Sequence, residues 1–241
     1  METRTALVTG AAQGLGQEFA VALAGRGYRV AGLDLVAQPE TAEKVLDYVE
    51  LIGDVTDENQ IQGALERVID QFGTLHVLVN NAGVYPACPF EEITPEEWRR
   101  VMRVNLEAPF LLTRAVLPYL KAAGRGRIVN IVSAAVLTAP PTMVPYVASK
   151  MGLIGFTRSL AAALGPYDIT VNAIAPSMVR TATAERTVGA DGGFEHVRDQ
   201  QVVPRTQRPS DLVSTLLYVV DEGSGFLTGQ TLNVSGGSAF L

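Results

Sequence analysis

Tyr146 and Lys150 stand one helical turn apart in Pro145-Tyr146-Val147-Ala148-Ser149-Lys150, ahead of an apolar, small-residue run from Met151 to Leu164. That run has helical spacing, and proline is tolerated early in a helix because first-turn N–H groups have no intrahelical partner. On a helix, residues i and i+4 share one face. A free tyrosine titrates near ~10 and is a poor proton donor or acceptor at neutral pH. A fixed cation beside it favours the phenolate and lowers that value. The phenol then approaches the range in which general acid–base catalysis is efficient. The same spacing also serves ordinary helix contacts, so its meaning depends on what else the chain contains.

Thr5-Ala6-Leu7-Val8-Thr9 is short, apolar and β-branched, and reads as a buried strand. Gly10-Ala11-Ala12-Gln13-Gly14-Leu15-Gly16 follows and opens a helical pattern through Phe19, Leu23 and Ala24. Strand, glycine turn and helix in that order place unpaired N–H groups and a positive dipole end where a phosphate can bind. Glycines there let a pyrophosphate approach the backbone. The next strand, Tyr28 to Leu33, ends in Asp34, eighteen positions after Gly16. Dinucleotide folds place a carboxylate there on the adenosine ribose. A carboxylate accepts from both ribose hydroxyls and repels a 2′-phosphate, and Leu35 and Val36 supply no cation. The cofactor expected is therefore NAD, not NADP.

Strand-like and helical runs alternate through the rest of the chain. Val49 to Ile52, Leu75 to Val79, Arg127 to Val132, Ile169 to Ile174 and Thr231 to Val234 read as strands. Asn59 to Phe72 and Ser210 to Val220 read as helices, the latter capped by Ser210; Glu96 to Leu120 reads as one long helix kinked at Pro109. Residues 182–209 are mixed and polar, with Gly189, Gly192 and Gly193, and no regular element is assigned there. The pattern predicts an α/β fold: a single-domain, Rossmann-like, doubly wound sheet of about seven parallel strands, helices on both faces, with a substrate loop around 182–209. Gly10, Asp34, Asp54, Asn81, Ser133 and Pro176 then fall at or just beyond the carboxyl ends of strands, where open sheets bind ligands.

The 241 residues are 47% hydrophobic with a net charge of −6, which argues against affinity for nucleic acid or anionic membrane. One cysteine, Cys88, excludes an internal disulfide and suits a reducing compartment. His76 and His196 are the only histidines, so no metal-ligand cluster is recognisable. Met1 to Arg4 lead straight into a strand without a secretory pattern, and no apolar stretch has the length of a membrane span. A cytoplasmic protein without metal is expected.

Taken together, Thr9-Gly10…Gly14-Leu15-Gly16, Asp54-Val55, Asn80-Asn81-Ala82-Gly83, Asn105, Ser133, Tyr146…Lys150 and Leu227-Thr228-Gly229-Gln230…Gly236-Gly237 resemble the short-chain dehydrogenase/reductase family over essentially the whole chain. The resemblance implies that Tyr146 is the acid/base and that Ser133 hydrogen-bonds the substrate oxygen. It implies that Lys150 binds the nicotinamide ribose and lowers the phenol's pKa, and that Asn105 anchors a proton-relay water. Cofactor contacts implied are Gly10, Gln13, Gly14, Leu15 and Gly16 at the glycine turn, Asp34 at the ribose, and Asp54 and Val55 at the adenine. Asn81, Ala82 and Gly83 follow on the adenosine side, with Tyr146, Lys150, Pro176, Val179 and Thr181 at the nicotinamide. Relatives pack as tetramers through the helices after the Asn81 and Ser133 strands and through the last strand, so a homotetramer is implied.

Many family members carry Pro-Gly where this chain has Pro176-Ser177, which puts the loop path at that point in question. The segments Asn81 to Pro86 and Ala175 to Thr183 resemble those of phenylethanol dehydrogenases, NAD-dependent members acting on aryl secondary alcohols. The substrate candidates are Ser133, Val136, Tyr146, Tyr85 and Met178, with apolar neighbours such as Met143 and Phe194. They imply a small, neutral, hydrophobic alcohol or ketone, aromatic ones included. Two other readings remain: a 3-oxoacyl-(carrier-protein) reductase, and a non-catalytic NAD-sensing protein.

Overall fold

The computed structural model of the chain describes residues 3–188 and 192–240. Gly189 lies outside the described residues. Seven strands form one parallel sheet: β1 (Thr5–Thr9), β2 (Arg29–Asp34), β3 (Val49–Ile52), β4 (Val77–Asn80), β5 (Arg127–Ile131), β6 (Thr170–Pro176) and β7 (Thr231–Val234). Their order across the sheet is β3-β2-β1-β4-β5-β6-β7. The chain therefore winds outward in one direction from β1 and in the other from β4. That reversal leaves a crevice beyond the carboxyl ends of β1 and β4.

Neighbouring residues on a strand point to opposite faces, and here both faces are covered, so the strands are apolar without alternation. Leu7, Leu78, Ile128 and Val171 pack on one face beneath α3 (Glu58–Phe72), α5 (Ala108–Ala123) and α7 (Val144–Leu164). Ala6, Val8, Val77, Val79 and Val129 pack on the other beneath α1 (Gly14–Gly25) and α10 (Ser210–Val220). Among the described residues no helix is long and apolar enough to cross a membrane.

Three expectations need correction. The long helix breaks before Pro109, not at it: α4 (Pro95–Met102) passes through a π-helical segment, Arg103–Glu107, into α5. Pro109 has no N–H to return to the carbonyl four residues back, that of Asn105, and the widened turn ahead of it absorbs the mismatch. Ser210 makes no capping hydrogen bond. Asp211, one residue later, instead accepts from the Arg208 N–H at 2.8 Å and pairs with Arg205 at 2.6 Å. Residues 182–209 are not structureless, since α8 (Ala182–Val188) and α9 (Gly193–Asp199) lie there. Two further short helices, α2 (Pro39–Lys44) and α6 (Ala135–Thr138), had no periodic signal long enough to read.

α1 packs directly on the glycine turn, and Gly16 makes this possible: a methyl group there would overlap the Gly10 carbonyl and lie 2.7 Å from Asn81 Nδ2. Gly16→Ala is expected to cost about 1–3 kcal/mol, as overpacking against backbone does, and to lower Tm by roughly 3–10 °C for a chain of this length. Gly25→Ala, with no atom within 4 Å of its added methyl, leaves Tm unchanged or higher. Thermal unfolding of both variants checks the contrast.

Candidate active site

The crevice is a cleft of about 1350 Å³ running from Asp34 past the glycine turn to Tyr146 and on to α9. At its near end, Gly10 and Gly14 hold left-handed conformations, with φ of 67° and 61°. The first turn of α1 has neither a side-chain cap nor an acidic residue. Two other helices are capped by side chains: Asp57 accepts from two first-turn N–H groups of α3, and Thr94 from one of α4. Bare N–H groups at a positive dipole end, beside glycines, are what a dinucleotide's phosphates require. Asp34 Oδ2 accepts from the Ala12 N–H at 2.9 Å, which holds the carboxylate at the rim of the turn. Thr41 of α2 donates to the Ala11 carbonyl at 2.7 Å and pins the turn from outside. The Thr9 hydroxyl accepts from Asn81 and Ala82 N–H groups, both at 3.0 Å, and ties the loop after β4 to β1. Asp54, Val55, Ala82 and Gly83 line the same wall. These residues fit a dinucleotide.

Farther along, Lys150 is 4% exposed and donates to the Ile131 carbonyl at 2.7 Å, two residues before Ser133. Its Nζ lies 5.8 Å from the centre of the Tyr146 ring. Ser133, Tyr146 and Lys150 all line the cleft, so segments thirteen residues apart do converge. Burial of the Tyr146 phenol pushes its pKa up; the Ser133 hydroxyl acts in the opposite direction, and the Tyr85 phenol adds to the rise. Burial also pushes the Lys150 ammonium down to about 8. Burial thus drives both groups toward their neutral forms.

Asn105 is fully buried behind the wall. Its Nδ2 donates to the Val84 carbonyl at 2.8 Å and to Ser149 Oγ at 3.1 Å, and its Oδ1 accepts from the Val84 N–H at 2.9 Å. Ser149, also buried, donates to the Tyr146 carbonyl at 2.7 Å. Both amide donors of Asn105 are occupied, so its side chain positions and does not relay. Ser149 escaped the sequence reading; as one more small residue in a helical run it gave no signal. A methyl on Gly83 would press on Asn105 Oδ1 at 3.2 Å and touch Lys150 Nζ at 3.6 Å.

On the substrate side, Tyr85 meets Tyr146 edge to face, with centroids 6.4 Å apart and planes at 73°. Pro176, Met178, Val179 and Thr181 line the cleft. Ser177 does not adopt a left-handed conformation, so the absence of glycine there strains nothing. Thr181 approaches Gly14 from across the cleft, 3.3 Å from where a methyl on Gly14 would stand. Val136 and Phe194 do not line the cleft. On the short helix α6, Ala135 and Thr138 share the cleft face and Val136 is turned away to pack near Leu153 and Ile154. Phe194 is buried beneath the Arg180 guanidinium, 4.6 Å from its ring centre. His196 and Gln200, unforeseen, line the far wall. Among the described residues no group of three or more His, Cys, Asp or Glu is placed to hold a metal.

With the geometry in hand, comparisons with known proteins give consistent results. The family model for short chain dehydrogenase matches residues 4–191. Trans-4-hydroxycyclohexanecarboxylate dehydrogenase of Sinomonas cyclohexanicum is 37% identical, over 97% of this chain and 92% of that protein. The (2S)-[(R)-hydroxy(phenyl)methyl]succinyl-CoA dehydrogenase subunit BbsD of Thauera aromatica is 34% identical, over 100% and 98%. Among solved structures, 3-ketoacyl-(acyl-carrier-protein) reductase of Brucella melitensis, complexed with NADH, superposes with a TM-score of 0.93 at 28% identity, over 99% of each chain.

Lys150 gives a pH test. With its pKa depressed from 10.5 to about 8, the folded chain releases a proton that the unfolded chain still holds between those values. Stability therefore rises with pH across that window, and the buried charge costs roughly 3 kcal/mol below it. Lys150→Met is expected to melt higher than wild type at pH 7 in the absence of cofactor and to lose this rise. Thermal melts of both proteins from pH 7 to 10.5 measure the difference; an unchanged difference across the window contradicts the buried ammonium.

Proposed function

The chain belongs to the short-chain dehydrogenase family, and on that premise we propose that it is an NAD-dependent oxidoreductase interconverting a hydrophobic secondary alcohol and its ketone. The observation that carries this reading is the convergence of Ser133, Tyr146 and Lys150 beside a cleft whose glycine turn is uncapped. The nicotinamide, when bound, accepts hydride from the alcohol carbon or returns it to the ketone carbon. Tyr146 takes the hydroxyl proton of the alcohol as the C–H bond breaks, and in reverse donates it to the ketone oxygen. Ser133 holds that oxygen, and its hydrogen bond strengthens as charge builds there. Lys150 holds the nicotinamide ribose and contributes positive charge near the phenol. The Asn105 carbonyl, which Pro109 cannot cap, is the acceptor for the water that carries protons onward.

NAD is preferred in this reading because the Asp34 carboxylate, held at the rim of the glycine turn by the Ala12 N–H, would repel a 2′-phosphate. The cofactor does not by itself separate an alcohol dehydrogenase from a ketoacyl reductase, since the Brucella reductase is complexed with NADH. Tyr85, Met143 and Met178 around the reacting end favour an apolar substrate; two relatives are named for ring-bearing alcohols, one of them a CoA thioester and the other a carboxylate. Single-domain organisation over residues 1–241 and a cytoplasmic, homotetrameric protein complete the proposal. Exposed Trp98 and Phe110 beside the long helix, and exposed Phe226 and Phe240 near the last strand, support self-association.

Aryl and alkyl ketones, and 3-oxoacyl thioesters, assayed with NADH and NADPH test the reading. Turnover of aryl ketones with at least tenfold preference for NADH is expected. Tyr146→Phe lowers kcat by about 10³ or more while NADH binds within about threefold of wild type. NADPH preference removes the cofactor assignment, thioester preference moves the chain to the reductase reading, and a fully active variant overturns the mechanism.

A further inference from the structure

Ser177 is held twice by glutamines from the segment that follows α9. Its backbone N–H donates to Gln207 Oε1 at 2.9 Å, and its hydroxyl accepts from Gln201 Nε2 at 3.0 Å. Gln207 is 7% exposed; its Nε2 donates to the Val234 carbonyl of β7 at 2.6 Å, and its own carbonyl accepts from the Arg180 N–H at 2.8 Å. Gln207 thereby fastens the loop after β6 to the last strand of the sheet. Gln201 does something else. It lies two residues past the end of α9, whose His196 and Val197, with Gln200 just beyond the helix, form the far wall of the cleft. The two bonds on Ser177 divide the labour: the backbone bond fixes the loop, and the hydroxyl bond fixes the helix.

We infer that the Ser177 hydroxyl and Gln201 form a specificity-positioning pair that sets how far α9 stands from the reacting carbonyl. The inference rests on the reading of the cleft as a carbonyl site. The opposite end of α9 begins at Gly193, after a left-handed Gly192 with no side-chain cap; apolar packing of the buried Phe194 holds that end, and the Gln201 bond to Ser177 supplies a polar anchor at the other. Ser177→Ala removes the hydroxyl and leaves the backbone bond to Gln207 in place. Gln201→Leu removes the amide at similar volume. Each deletes the same contact from a different side.

Hydrogen exchange of the amides in 193–201, in the cofactor-free protein, reads the tether without reference to any substrate. Each single variant is expected to exchange about threefold faster or more there, as loss of one part-buried hydrogen bond predicts. The double variant exchanges no faster than either single, because both remove one interaction. With acetophenone and NADH, the same variants raise the ketone KM several-fold and leave the NADH KM within twofold, again without additivity. Unchanged exchange, or additive effects in the double variant, overturns the pairing. Faster exchange with an unaltered acetophenone KM overturns the specificity role while leaving the tether. Absence of acetophenone turnover in the wild type counts against the carbonyl-site reading, and the exchange result still decides the tether.

Discussion

Lys150 reaches from α7 to the end of β5 and donates an N–H hydrogen bond to the Ile131 carbonyl, 2.7 Å away. An ammonium 4% exposed is tolerated only when strongly hydrogen-bonded or matched by charge, so this bond constrains the helix and strand together. Ser133 lies two residues beyond Ile131 on the strand side, and Tyr146 one turn before Lys150 on the helix side. Fixing the lysine to Ile131 therefore fixes the separation of two hydroxyls that the chain places thirteen residues apart. Ser149 and Asn105 extend the constraint to the loop at Val84, whose next residue, Tyr85, meets Tyr146 edge-on.

The same burial that locks the geometry raises an electrostatic problem. A dry site opposes charge on the phenol and on the ammonium alike, and both shifts run toward the neutral forms. A base that ionises only with difficulty is of little use until further positive charge arrives. Bound oxidised nicotinamide would bring that charge to the phenol, while the ribose would give the lysine partners that water no longer supplies. In this account cofactor binding would help to activate the base.

Much of this was legible in the sequence, for identifiable reasons. Buried strands are short β-branched runs, and the turn at Gly10 to Gly16 demands glycine where a side chain would collide, so both leave marks in composition. Tyr146, Lys150 and Asp34 drew attention by spacing, which gained meaning only from the joint pattern along the chain. The π-helical segment around Asn105 did not, because Pro109 signals that a bond is lost but not on which side the helix widens. α2 and α6 are too short to express a period, and α8 and α9 sit in a polar segment where tertiary contacts, not periodicity, decide. The orientation of Val136 away from the cleft depends on a single turn of α6 that no pattern announced. At the start of α10 Asp211 reaches back to the Arg208 N–H and Arg205, ahead of the helix, and Ser210 caps nothing.

The coupling of charge to cofactor is measured most directly by titrating the phenol itself. The tyrosinate absorbance of wild type minus that of Tyr146→Phe, followed against pH with and without NAD, isolates the one group. The account predicts a midpoint above the ordinary ~10 in the free protein and a fall of at least one pH unit when NAD is bound. A midpoint already near neutrality without cofactor, or one that NAD leaves unmoved, would contradict it.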